Sequence, residues 1–423
     1  MPGRSRLATA AFATFLTACG SDESTAPSPA GSIVVTPAAL VMGLGTSRQL
    51  SASVLDGAGE NVPGAVVSFT SSDTGRVSVS AQGLVSYLEA GEAEITVSSD
   101  DLLAVVPYRG LRAGHPLGTA MTATRLPGDL DGDGPFGTAI DGDGRILISQ
   151  THGGRLASTL YPDTGFATLE LEGTPASITL LGEGTALITP TGPENDRVTV
   201  IEVSSERVLA QVPLDVPAYS AVTSPDSETA YLGTNDGRVL EFDVASSTVA
   251  GFIDLGVPKS RANHLALNPA GTLLYVSSFT SGTVSEIDLA TRSVARTFVV
   301  GGEPQGLAVS HDGAELYVAD ESGPGDIDIY DLTGNALVAS LPSGATSSGG
   351  GPFGLAMSPD GAKVYVGVIT GDGPGLIQVI DVATHRIERT ITSCGGIPRR
   401  IAFGYSGGLA VIADETGCAN FVE

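Results

Sequence analysis

At 423 residues the chain has room for two or three domains, and its composition, 42% apolar and only 5% aromatic with no Trp, requires cores of Val, Ile, Leu and Ala. With 56 Gly, 25 Pro and no long amphipathic pattern, it points to an all-β fold. A net charge of −26, with Lys259 and Lys363 the only lysines, excludes the basic patches that neutralise nucleic-acid phosphates or hold a protein surface on anionic lipid.

The first segment reads as a processing signal. Arg4 and Arg6 precede the apolar run LATAAFATFLTA, which is too short to span a bilayer comfortably and ends in Leu16-Thr17-Ala18-Cys19. Residues 19–31 are rich in Ser, Pro and acids, a flexible tether. Leu-Thr-Ala-Cys resembles the lipobox of bacterial lipoproteins. The resemblance implies removal of residues 1–18, acylation of Cys19, export, and a lipid anchor at the outer membrane or cell surface. The membrane is then a partner through the anchor only.

From 32 to 108, short alternating runs such as SIVVT, SRQLSASVLD, GAVVSFTS, GRVSVS and AEITVSS are separated by turn residues. Period-2 alternation at this spacing predicts a small β-sandwich. Val35-Thr36-Pro37, Leu50-Ser51-Ala52, Phe69-Thr70-Ser71-Ser72-Asp73, Gly83-Leu84-Val85, and Gly91 with Ile95-Thr96-Val97, resemble the bacterial group 2 immunoglobulin-like domains. One departure is Phe69, where that family usually has Trp. The resemblance implies a stalk, and sometimes adhesion. Residues 109–117 read as a linker.

The remainder is repetitive. Aligned on the first turn of each repeat, Gly144, Gly184, Ser227, Gly271, Gly313, Gly361 and Gly407 fall 40 to 48 residues apart, which suits four strands per propeller blade. The last repeat lacks its fourth strand, and a segment at 118–128 stands unassigned before the first. Joining the two predicts a seven-bladed β-propeller over 118–423, closed by one strand from the N-terminal side and three from the C-terminal side. Leu274-Tyr275-Val276, Leu316-Tyr317-Val318 and Val364-Tyr365-Val366 resemble the YVTN family of propeller repeats.

The recurring third-strand acids Glu202, Asp243, Asp288, Asp331 and Asp381 precede turns and are read as structural. Asp129, Asp131 and Asp133 match the first half of a calcium loop, but Ile140 stands where the bidentate acid belongs. An Asp-Gly turn series competes with calcium binding there, and calcium is the one cofactor the sequence suggests. Cys394 and Cys418 lie in loops expected on one rim of the ring and predict a disulfide in an oxidising compartment.

Two rings of residues should surround the channel mouth. One holds Gly137, Ser177, Tyr219, His264, Gly306, Gly354 and Arg400; the other holds Phe136, Ala176, Ala218, Asn263, Gln305, Phe353 and Arg399. Tyr219, Asn263, His264, Gln305, Arg399 and Arg400 are the candidate ligand-binding cluster, the Arg pair suited to a small anion. A polar channel rim without a ligand is the bland alternative.

The expected function is a monomeric, non-catalytic binding or interaction protein of the cell envelope, taking a protein, a glycan or a small anionic ligand. Nucleic acid is not an expected partner. The competing expectation is an enzyme, because related propellers include lactonases and streptogramin lyases. Those need His and acid pairs at the mouth, often with a metal, and here only His264 is well placed, with no Asp or Glu in either ring.

Overall fold

The computed structural model describes residues 30–423 except 117, 119–120, 127–133, 163–164, 183, 193–195, 258–260, 324 and 347–348; the side chains of Ala30 and Asn263 are also outside the description. Residues 1–29, with the expected signal, Cys19 and most of the expected tether, and the candidate calcium ligands Asp129, Asp131 and Asp133 lie outside the described residues.

The first nine strands form three small sheets around one core. Ala30–Thr36 pairs with Ser51–Asp56; Leu40–Met42, Leu102–Gly110, Gly91–Ser99 and Ser68–Ser71 form a second sheet; Ser47–Gln49, Leu84–Tyr87 and Val77–Val79 form a third. Alternation explains the burial. Ile95, Val97, Val106 and Tyr108 face inward from adjacent antiparallel strands and join Leu40, Met42, Leu50, Val77 and Val85. Phe69 packs against this core, so an aromatic smaller than Trp still fills the position. The strand Leu102–Gly110 runs two residues past the boundary expected at 108.

The remaining described strands make seven four-stranded antiparallel sheets in chain order. We number them as blades: 135–170, 175–213, 218–254, 262–299, 304–342, 351–392, and 398–422 with Met121–Arg125. The first strand of each blade packs on that of the next, and Pro398–Gly404 returns onto Pro135–Ile140. A closed ring of such sheets is consistent with a β-propeller. In blade seven, Met121–Arg125 pairs antiparallel with Cys418–Val422, from Met121 opposite Val422 to Arg125 opposite Cys418. The outer edge is thus closed by a strand from the other side of the sequence.

The seven residues on which the repeats align all sit in the first hairpin of their blade with positive φ: 77° at Gly144, 77° at Gly184, 60° at Ser227, 66° at Gly271, 72° at Gly313, 70° at Gly361 and 93° at Gly407. That left-handed turn conformation explains why Gly recurs there. The third-strand acids are turn groups. Asp243 accepts the Ser246 amide at 2.7 Å, Asp288 that of Thr291 at 2.9 Å and Asp381 that of Thr384 at 2.9 Å. Hydrogen bonds from Lys363 and Thr384 hold the Asp381 carboxyl down at about 2.

Cys394, in the loop before the first strand of blade seven, is disulfide-bonded to Cys418 in the same blade, with Cα atoms 6.4 Å apart. Beside it, Asn420 Oδ1 accepts the Cys394 amide at 2.8 Å and its Nδ2 donates to Ser393 Oγ at 2.9 Å. Ser393 Oγ donates in turn to the fully buried Asp414 at 2.6 Å.

Candidate functional site

The candidate residues sit where each first strand begins. There every first strand carries an irregularity opposite its second strand: between Pro135 and Thr138, Pro175 and Ile178, Ala262 and Leu265, Pro304 and Leu307, Pro352 and Leu355, and Pro398 and Ile401. In blade three it falls between Ala218 and Ser220, so Ala218 is the counterpart of Pro135, and Tyr219 that of Phe136. The sequence alignment was one residue off in that blade. Tyr219 belongs to the ring of Phe136, Ala176, Asn263, Gln305, Phe353 and Arg399, and Ser220 takes its place beside His264 and Arg400.

A recurring bond between blades supports this register. A second-strand hydroxyl donates to a ring carbonyl of the next blade: Ser149 to Ala176, Thr189 to Tyr219 at 3.0 Å, and Ser277 to Gln305 at 2.7 Å. All three carbonyls lie in the corrected ring. Adjacent first strands approach so closely that a Cβ on Gly354 would stand 1.9 Å from the Arg399 carbonyl oxygen, which accounts for Gly at that position.

This end of the channel is plugged rather than open. Phe136 meets Tyr219 edge-on at 6.1 Å and Phe353 at 5.8 Å, and His264 meets Phe353 at 6.4 Å. Phe136, Tyr219 and Phe353 are all buried, with Ala176, Ile369 and Ile397 in the same cluster. Arg399 stacks on Phe353 at 4.3 Å and on Phe136 at 5.4 Å, and Arg400 lies 5.9 Å from the centre of Phe136.

His264 and Arg400 are brought together directly. Arg400 Nη1 lies 2.8 Å from His264 Nδ1 and also contacts Nε2. Burial, helped by the Arg400 charge, pushes the His264 pKa well below its ordinary value, so the ring is a neutral acceptor for the guanidinium. Burial lowers the Arg400 pKa to about 10; Tyr219 opposes the shift and the neighbouring Arg399 adds to it. Arg400 Nε and Nη2 are buried without a hydrogen-bond partner.

The other candidates are engaged elsewhere. Arg399 Nε donates to Glu415 Oε2 at 2.5 Å, and Gln305 Nε2 donates to Glu321 Oε2. Burial raises the Glu321 pKa, against the Gln305 hydrogen bond and the charges of Arg399 and Arg261. The side chain of Asn263 lies outside the described residues.

Glu321, Glu415, Asn235 and Phe279 were missed in the sequence. Each is the residue immediately after the second strand of its blade, a position the repeat alignment could have read as a further ring. Thr191, Gly192, Tyr219, Asn235, Arg261, Phe279 and Thr280 line an open pocket of about 420 Å³ beside the aromatic plug. In it Arg261 is clamped between two rings, 5.0 Å from Tyr219 and 4.6 Å from Phe279.

No family model matches the chain, and no curated protein matches it. Among solved structures it is similar to a chain of the Kuenenia stuttgartiensis hydrazine synthase, with a TM-score of 0.61 at 17% identity, covering 71% of this chain and 98% of that one. The likeness shows the fold alone. As many as 1800 solved chains match, so the shared architecture selects no activity.

Proposed function

We propose that the chain is a lipid-anchored cell-envelope protein that binds a small anionic ligand at the plugged end of the ring, without chemistry of its own. In this reading the N-terminal unit is an immunoglobulin-like stalk of the bacterial group 2 kind. The ring is a propeller of YVTN-type repeats, and Cys19 carries the anchor.

The observation that carries the reading is the gathering of Arg261, Arg399 and Arg400 at one end of a chain with net charge −26. Arg399 has Glu415, but Arg400 makes no ion pair among the described residues and keeps two buried nitrogens, Nε and Nη2, without a hydrogen-bond partner. A buried guanidinium in that condition favours an incoming oxyanion, because leaving its donors unpaired is costly.

The test is calorimetric titration of the full-length chain in detergent with sulfate, phosphate and propionate, repeated on the Arg399→Ala, Arg400→Ala double variant. Charge-assisted hydrogen bonds are worth about 1.5–3 kcal/mol each, so the variant should lose at least roughly tenfold in affinity. Equal binding by both proteins would remove the site. For the anchor, Cys19→Ala should move the protein from the membrane to the soluble fraction, since stable attachment depends on the acyl chains. Retention at the membrane would remove the lipoprotein reading.

A further inference from the structure

The open pocket beside the plug has chemistry of its own. Arg261 precedes the first strand of blade four and has its guanidinium held between Tyr219 and Phe279. Contact with two ring faces restrains the guanidinium, and such preorganisation favours two-point recognition of a carboxylate. Among the described residues this guanidinium makes no hydrogen bond and no ion pair; the bond recorded for Arg261 with a side chain is that of its backbone amide with Thr280 Oγ1, at 3.2 Å.

Asn235 lines the same pocket, and its side-chain Oδ1 is buried without a hydrogen-bond partner among the described residues. An amide offers a carbonyl acceptor and an NH₂ donor together, the complement of neighbouring hydroxyl groups, which both donate and accept. Structural polar groups in a folded protein are ordinarily satisfied. Here Arg261 Nε and Asn235 Oδ1, on two residues that line one cavity, are both buried without a hydrogen-bond partner among the described residues.

We infer that this pocket binds a sugar acid, with its carboxylate on the Arg261 fork and its adjacent hydroxyls on the Asn235 amide. The inference rests on the anion-binding reading of this end of the ring and gives it a ligand class. A simple carboxylate would satisfy Arg261 only, and a neutral sugar would satisfy Asn235 only. The pocket volume of about 420 Å³ admits a single sugar ring with room for its substituents.

The test uses glucuronate, glucose and propionate in calorimetric titrations of the full-length chain in detergent. Glucuronate should bind at least roughly tenfold more tightly than either of the other two, since a site built to hydrogen-bond a group rejects an analogue lacking it. Arg261→Lys keeps the charge without the fork, and Asn235→Leu removes the amide. Each should weaken glucuronate by a similar factor, with the melting temperature checked to show that the ring is intact. The comparison of the three ligands on the unaltered chain stands even if a variant fails to fold. Propionate binding as tightly as glucuronate would overturn the sugar-acid assignment while leaving anion binding in place. Glucuronate binding that is lost in the Arg399→Ala, Arg400→Ala variant but untouched by Arg261→Lys would place the carboxylate in the plug and overturn the assignment as well. No binding of glucuronate, propionate, sulfate or phosphate would overturn this inference and the anion reading together.

Discussion

Arg400 Nη1 stands 2.8 Å from His264 Nδ1 at the plugged end of the ring, a guanidinium donating to an imidazole held neutral. The pair joins blades four and seven through residues 136 positions apart in the chain. Its pH dependence follows from the direction of the His264 shift. Above the ordinary value of 6.5, folded and unfolded chains both carry a neutral ring, and this group contributes no slope. Below 6.5 the unfolded chain takes up a proton that the folded one refuses, so stability falls with falling pH by up to about 1.4 kcal/mol per unit. Urea unfolding between pH 7.5 and 5 should show this slope, and His264→Gln should reduce it. Identical slopes for the two proteins would mean that His264 is charged in the ring.

The disulfide closes a loop across the blade that is completed by a strand from before blade one. Joining residues 24 apart in sequence should stabilise the fold by about 3 kcal/mol through the unfolded chain. Cys394→Ser with Cys418→Ser should therefore lower the urea midpoint. Thiol alkylation of the unfolded, unreduced protein should label neither residue.

The first hairpin of each blade offers a paired test. Ser227 is the one non-Gly residue at the aligned positive-φ position, with φ 60°. Ser227→Gly should raise stability by up to about 1 kcal/mol, the relief of the left-handed strain less the added freedom of the unfolded chain. At Gly361, φ is 70° and a Cβ would lie 2.8 Å from His311 Nδ1. Gly361→Ala should cost about 1–2 kcal/mol. Thermal melts of both variants check the opposite signs.

The N-terminal unit is seated on blade seven. Val41 and Leu111 join the core of Tyr405, Leu409, Val411 and Phe421, and the Tyr87 hydroxyl donates to the Leu111 carbonyl at 3.0 Å. A Cβ on Gly43 would meet the Tyr405 carbonyl oxygen at 2.5 Å, so Gly43→Ala should cost about 1–3 kcal/mol by forcing the two apart. Limited proteolysis should then cut faster between the N-terminal unit and the ring. Gly142→Ala, whose Cβ meets nothing within 4 Å, is the control and should leave the digestion pattern unchanged.

What the sequence determined by itself was local or periodic. Turn chemistry is written into four or five consecutive residues, so the phase of the repeats could be read from Gly144 to Gly407 and the acids at Asp243, Asp288 and Asp381 recognised as turn groups. The count of strands also left one blade short by one, which pointed to 118–128. The end of the ring was another matter. Tyr219 was assigned one position away because a strand irregularity leaves no mark in residue type. That Phe136, Tyr219 and Phe353 meet depends on ring closure, which brings together blades one, three and six, and on side chains long enough to reach across the channel. Arg261 gained its clamp in the same way, from a Tyr and a Phe that belong to different blades and carry no shared motif. Periodicity specifies which face of its own strand a residue occupies; which residues of other blades it touches is decided by the packing of the whole ring.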